Sequence, residues 1–141
     1  MHLLDSDTAT LVYYGRNEKV KERYDNFPQD ETLALSPVTR AEILRGRFDA
    51  LIKAANPAEW FAAQVRLRET EVWLAGFDVV EITQAAGEHF ERLLKNKKLK
   101  KLGRADLLSA CIALAHDATL VTRNTKDFQP IPGLKLENWA D

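Results

Sequence analysis

The sequence predicts a three-layer α/β/α domain with a mostly parallel central sheet, and three observations lead there. Short apolar runs of strand length recur along the chain, helical stretches of ten or more residues separate most of them, and helix start signals stand at the junctions. Parallel strands need crossovers of about a dozen residues or more, usually helical, and this alternation supplies them. The 141 residues are 45% hydrophobic and 29% charged with a net charge of -1, which suits one core and a single domain over 1–141.

HLLDS reads as a short buried strand, followed by a helix through TATLVYYG that Ser6 or Asp7 caps and Gly15 ends. A polar helical stretch runs to Phe27, Pro28 breaks it, and TLALS is a second strand. Ser36 before Pro37 is a cap and first-turn pair opening the helix VTRAEILRGRFDAL, in which Val38, Ala41, Ile43, Leu44 and Phe48 fall roughly along one side. Asn56 and Pro57 repeat the signal before AEWFAAQVRLRETEVWLAG, a long helix with Trp60, Val65, Leu67, Val72 and Trp73. FDVVEI is strand-like, Thr83 caps a helix through AAGEHFERLLKN, and RADLLSACIALAHD is the most apolar helix of the chain. ATLVTRN then forms a strand whose neighbours Asn124 and Asp127 begin a loop, and LKLEN is a last strand after the turn at Pro132 and Gly133.

Composition excludes several classes. Apolar residues spread along a nearly neutral chain do not fit disorder, and no run approaches the roughly 18 to 20 apolar residues of a membrane helix. MHLLDSDT carries acids where a secretory signal carries a basic start, so a soluble cytoplasmic protein is expected. Cys111 stands alone in an apolar run and reads as a buried small hydrophobe. One local charge patch stands out, since residues 92–104 hold seven bases and no acid; it is either an electrostatic footprint for a polyanion or a solvated helix end.

In open parallel sheets ligands bind at the carboxyl ends of the strands. Asp5 and Asp127 lie at such ends, while Glu42 and Asp106 lie early in helices that can face the same edge. Four carboxylates brought together repel one another, and a hard divalent cation, most often Mg²⁺, is the usual means of keeping them ionised. Each also has an ordinary reading. Glu42 completes a capping-box spacing with Thr39, Asp106 suits a helix first turn, and Asp127 suits a turn, whereas an acid directly after an apolar strand start, as at Asp5, is harder to explain structurally.

LLDSDT at 3–8, SPVTRAEILRG at 36–46, GRADLLSACIALAHDATLVTRNTKDF at 103–128 and IPGLKLENW at 131–139 resemble the PIN-domain nucleases, and within them the VapC toxins of VapBC toxin–antitoxin pairs. The resemblance implies a PIN-like domain and an endoribonuclease using Mg²⁺ or Mn²⁺, held inactive by a VapB-type antitoxin and forming a homodimer. Matched residue by residue, it places catalytic and metal-binding roles on Asp5, Glu42, Asp106 and Asp127. Asn124 competes for the fourth position, and Asp7, which stands where the family commonly has Asn, either adds a fifth carboxylate as a further metal ligand or caps the helix. Arg104, Lys101, Arg123 and Thr122 are the candidate substrate contacts, with Lys126 and Arg40 as helpers; the Thr122 hydroxyl is also placed to orient a carboxylate. Two rival readings remain at this stage: a haloacid-dehalogenase-type phosphatase using Asp5 and Asp7, and a non-catalytic binding module whose acids are helix caps. Leu11, Val12, Tyr13 and Tyr14 are a candidate dimer face if they are not core.

Overall fold

A computed structural model describes residues 1–141, and its centre is a five-stranded sheet in the order β3-β2-β1-β4-β5. The strands are β1 (His2–Leu4), β2 (Leu33–Leu35), β3 (Asp78–Val79), β4 (Thr119–Val121) and β5 (Lys135–Glu137). All four pairings are parallel. The helices are α1 (Ser6–Tyr14), α2 (Glu18–Asp25), α3 (Pro37–Lys53), α4 (Pro57–Ala75), α5 (Gln84–Leu93), α6 (Arg104–Ala115) and the single turn α7 (Thr125–Phe128).

Successive strand residues point to opposite faces, so each three-residue strand serves two cores. Leu3, Ala34 and Leu120 face one side, where α5, α6 and Phe128 pack. Leu4, Leu35 and Val121 face the other, against Ala9 of α1, Val20 of α2, Leu74 of α4 and Trp139. Burial on both faces explains why these strands read as continuous apolar runs rather than alternating ones. It also explains α6, which buries five consecutive residues from Ser109 to Ala113, Cys111 among them.

The strands are shorter than their apolar runs. HLLDS ends at Leu4 because Asp5 already turns into α1, and FDVVEI contributes only the exposed pair Asp78–Val79, since an edge strand has a single neighbour. Gly15 ends α1 as expected, with φ at 64° in the left-handed region where a side chain is strained. The Asn56 and Thr83 caps also form, each side chain accepting an N–H from its helix's first turn. Asn124 and Asp127 lie not in an open loop but at the start and inside of α7.

Leu11 and Val12 pack on the second core, and Tyr13 meets Trp73 edge to face at 5.1 Å. Tyr14 takes hydrogen bonds from Arg47 and Arg66. These four residues therefore serve internal packing. The apolar surface left in the open lies on α3 and α4, at Phe48, Ile52, Phe61, Val65 and Val72. No helix is long and apolar enough to cross a membrane.

Two substitutions two residues apart on α4 separate these environments. Leu74→Ala, at a 1% exposed position, is expected to cost about 2–5 kcal/mol of unfolding free energy. Val72→Ala, at 71% exposure, should stay within about 0.5 kcal/mol. Urea denaturation of the two variants measures both.

Candidate active site

Leu4 pairs level with Leu35 on one side and Val121 on the other. The residues that follow them, Asp5, Ser36 and Thr122, therefore leave the three central strands side by side at the carboxyl edge. Asp5 adopts an extended backbone and caps α1, its carboxylate accepting the Thr8 N–H at 2.8 Å. The cap is thus Asp5, not Ser6 or Asp7, because those two already have helical backbone. Ser36 caps α3 and accepts the Thr39 N–H at 3.1 Å.

That cap removes the capping-box reading of Thr39 and Glu42. Thr39 lies inside the first turn, buried, with its hydroxyl donating to the Leu4 carbonyl at 3.3 Å. Glu42 is left at the edge, where it accepts the Ser6 hydroxyl at 2.7 Å. Asp106 enters from the first turn of α6, whose N-terminal dipole favours an acid there.

Four carboxylates, Asp5, Asp7, Glu42 and Asp106, line a pocket of about 150 Å³ together with the hydroxyl residues Ser6, Thr39 and Ser109. The pocket has no hydrophobic wall. Loss of hydration raises the Asp106 pKa above its ordinary 3.8, and repulsion by Glu42, Asp5, Asp7 and Asp127 raises it further. Burial likewise pushes Asp5 up, against hydrogen bonds from Thr122 and Thr8 that pull it down. Asp127 lies outside the pocket lining but close enough to be felt by Asp106. Asn124 is exposed; its backbone N–H bonds to the Thr122 hydroxyl at 3.1 Å and its side chain makes no cap.

The donor set is made of hard oxygens, which suits a divalent cation of the Mg²⁺ or Mn²⁺ kind. No three of the carboxylates converge closely enough to ligate one ion directly as they stand. This agrees with the habit of Mg²⁺, which keeps several waters and takes one or two carboxylates.

The candidate substrate contacts divide. Thr122 is 1% exposed and its hydroxyl lowers the Asp5 pKa, which suits the carboxylate-orienting reading better than a direct substrate contact. Arg123 is paired with Asp141 at 2.9 Å. Lys101 is exposed in the turn before α6, and Arg104 opens that helix with its guanidinium 5.1 Å from the Phe90 ring centre. Arg40 and Lys126 are both exposed.

The largest cleft, about 590 Å³, is elsewhere, around His2, Arg23, Phe27, Glu137 and Trp139. It is a structural clasp. Burial alone would raise the Glu137 pKa, but bonds from Trp139 and His2, and the charges of His2 and Arg23, bring it below the ordinary value. Both Glu137 carboxylate oxygens already have partners, whereas the acids of the small pocket mainly face one another. Sequence reading missed this cluster, because nothing local joins residue 2 to residue 137.

Comparison with known proteins places the geometry in context. A ribonuclease VapC2 from Rickettsia felis is 28% identical over 99% of this chain and 98% of its own length. A tRNA(fMet)-specific endonuclease VapC from Salmonella typhimurium is 22% identical over 98% and 97%. Among solved structures, VapBC-1 from nontypeable Haemophilus influenzae superposes with a TM-score of 0.79 at 25% identity, covering 99% of this chain and 98% of that one. A PIN-domain family model matches residues 6–134, which hold all the helices and the strands β2, β3 and β4, and the chain therefore belongs to the PIN-domain family.

Proposed function

We propose that the protein, acting as one domain over residues 1–141, is a Mg²⁺- or Mn²⁺-dependent endoribonuclease and the toxin of a VapBC-type toxin–antitoxin pair. The observation that carries this reading is the all-oxygen pocket where Asp5, Asp7, Glu42 and Asp106 meet at the carboxyl edge of the sheet. The relatives named as ribonucleases and the VapBC complex of similar fold support it. A phosphatase using only Asp5 and Asp7 would leave Glu42 and Asp106 without a purpose.

A divalent cation, when bound, acidifies the attacking water and neutralises charge on the scissile phosphate. Asp5 and Asp106 are the residues to hold it. Asp5 is fixed in advance by the Thr8 N–H, so its oxygen is already oriented when the cation arrives. Glu42, steadied by Ser6, and Asp7 complete the negative wall, and Asp127 adds charge from the rim. The exposed lysines at 95, 97, 98, 100 and 101, with Arg104, collect the RNA backbone beside the pocket. A VapB-type antitoxin and a second copy of the chain are the proposed protein partners, and the open apolar residues of α3 and α4 are suited to contact with a protein.

Asp106→Asn is expected to lower RNA cleavage by at least about a hundredfold. Because it removes repulsion, its melting temperature without divalent ions should match or exceed the parent's. Millimolar Mg²⁺ should raise the parent's melting temperature and leave the variant's nearly unchanged. Scanning fluorimetry with Mg²⁺ and with EDTA reads both, and parent-like cleavage by Asp106→Asn would sink the assignment.

The pH dependence follows from the raised pKa values of Asp5 and Asp106. The folded state binds these protons more tightly than the unfolded chain. The cation-free protein therefore loses their stabilising contribution as pH rises from 3.8 through the raised values. Cation binding needs the ionised forms and changes in the opposite sense. The Mg²⁺-induced gain in melting temperature should thus disappear on acidification at a pH above the ordinary carboxylate range, and a pH series of melting curves at fixed Mg²⁺ tests it.

A further inference from the structure

Glu42 also borders a second cavity. A cleft of about 320 Å³ is walled by Pro37, Val38, Ala41 and Arg45 of α3 and by Ile82 from the loop after β3, with Glu42 as the member it shares with the carboxylate pocket. We propose that this cleft is a base-binding subsite, receiving the nucleobase next to the scissile phosphate of an unpaired RNA strand. The proposal rests on the ribonuclease reading above.

Position is the first argument. Both cavities open at the carboxyl edge of the sheet, and a nucleobase is tethered to its phosphate through one sugar, so a base must lie close beside any phosphate at Glu42 and Asp106. Wall chemistry is the second. Val38, Ala41 and Arg45 fall on successive turns of one face of α3, giving an apolar floor with a cation at its rim. The ion pairs of the protein are made by His2, Lys21, Arg23, Arg123 and Lys135, which leaves the Arg45 guanidinium without a carboxylate partner and available to a neighbouring phosphate. A purely phosphate-binding groove has no use for Val38 and Ile82, and a purely apolar peptide groove has no use for Arg45.

The cleft is also pre-formed. Ile82 is 48% exposed, so its side chain offers apolar surface to the cleft. Its loop is fixed on both sides: before it the Val80 N–H donates to the Leu35 carbonyl at 3.0 Å and His116 Nε2 lies 2.8 Å from the Glu81 carbonyl, and after it Thr83 caps α5, accepting the Ala86 N–H at 3.2 Å. An aliphatic wall takes the flat face of any base, and only an unstacked base can enter, which selects single-stranded RNA over a duplex.

Two variants test this: Ala41→Trp fills the cleft, and Ile82→Asn strips its exposed wall without disturbing the core. The probe is fluorescein-labelled single-stranded RNA carrying one abasic site at each position in turn, bound to protein that also carries Asp106→Asn so that it stays intact. Each variant should bind the unmodified RNA about fivefold to tenfold more weakly. One abasic position should cost the same in the unfilled protein and nothing further in either variant. Cleavage of a random RNA pool by Asp106-containing protein should show base bias at one position beside the cut, lost in both variants. Full affinity in both variants, or an abasic penalty that persists in them, overturns the subsite and assigns the cleft to an apolar side chain of a protein partner. If the parent cuts no RNA, the ribonuclease reading falls, while the abasic comparison still decides the subsite by binding.

Discussion

Because β1 is paired level with β2 and β4 at once, three chain segments leave the sheet at a single height, and the rest of the edge is arranged around that fact. Asp5, Ser36 and Thr122 become neighbours although they are far apart in sequence. Ser36 then starts α3 so that Glu42 arrives one turn beyond Thr39, and Thr122 stands behind Asp5. A slip of one residue in either pairing would exchange the faces of Leu3 and Leu4 and lose both cores together with the edge. Register and chemistry are therefore specified by the same apolar residues.

The edge itself opposes folding. Four acids in a small polar pocket repel, and two of them hold protons more tightly than free carboxyls do. The compensation is distributed: helix N-termini at α1 and α6, the Thr8 N–H and the Ser6 hydroxyl each relieve part of the charge. The clasp at Glu137 shows the contrasting solution, where each carboxylate oxygen meets a donor and the acid becomes stronger than usual. One cluster is satisfied from within, and the other is complete only with something from outside.

Local chemistry was legible in the sequence, and long-range placement less so. Ser36–Pro37, Asn56–Pro57 and Thr83 announce their helices because a cap involves only the next three residues. In Asp5-Ser6-Asp7 three residues in a row are able to cap, and the choice depends on where β1 stops, which is set by pairing with β4 more than a hundred residues later. For the same reason Asp7 stood between a cap and a carboxylate of the site until the fold placed it in the pocket, and Thr122 stood between a substrate contact and a support for a carboxylate until the fold buried it. Glu42 fitted a capping box with Thr39, and only the use of Ser36 as the actual cap shows that its carboxylate serves the edge instead. The alternation of strands and helices gave the parallel sheet, but the brevity of the strands depends on tight turns at both ends that no periodicity records.

The placement of β4 has a consequence for how the molecule comes into being. Chains grow from the amino end and begin to organise as they emerge. Asp5 precedes Asp106 and Thr122 by about a hundred residues, and β1 can pair with β2 before either has been made. Until the second half has been synthesised, the nascent chain holds a lone carboxylate at the end of a two- or three-stranded fragment, with neither α6 nor β4 in place. A chain made only as far as α5 therefore lacks Asp106 and the Thr122 support of Asp5, and the carboxylate edge takes shape once α6 and β4 have followed.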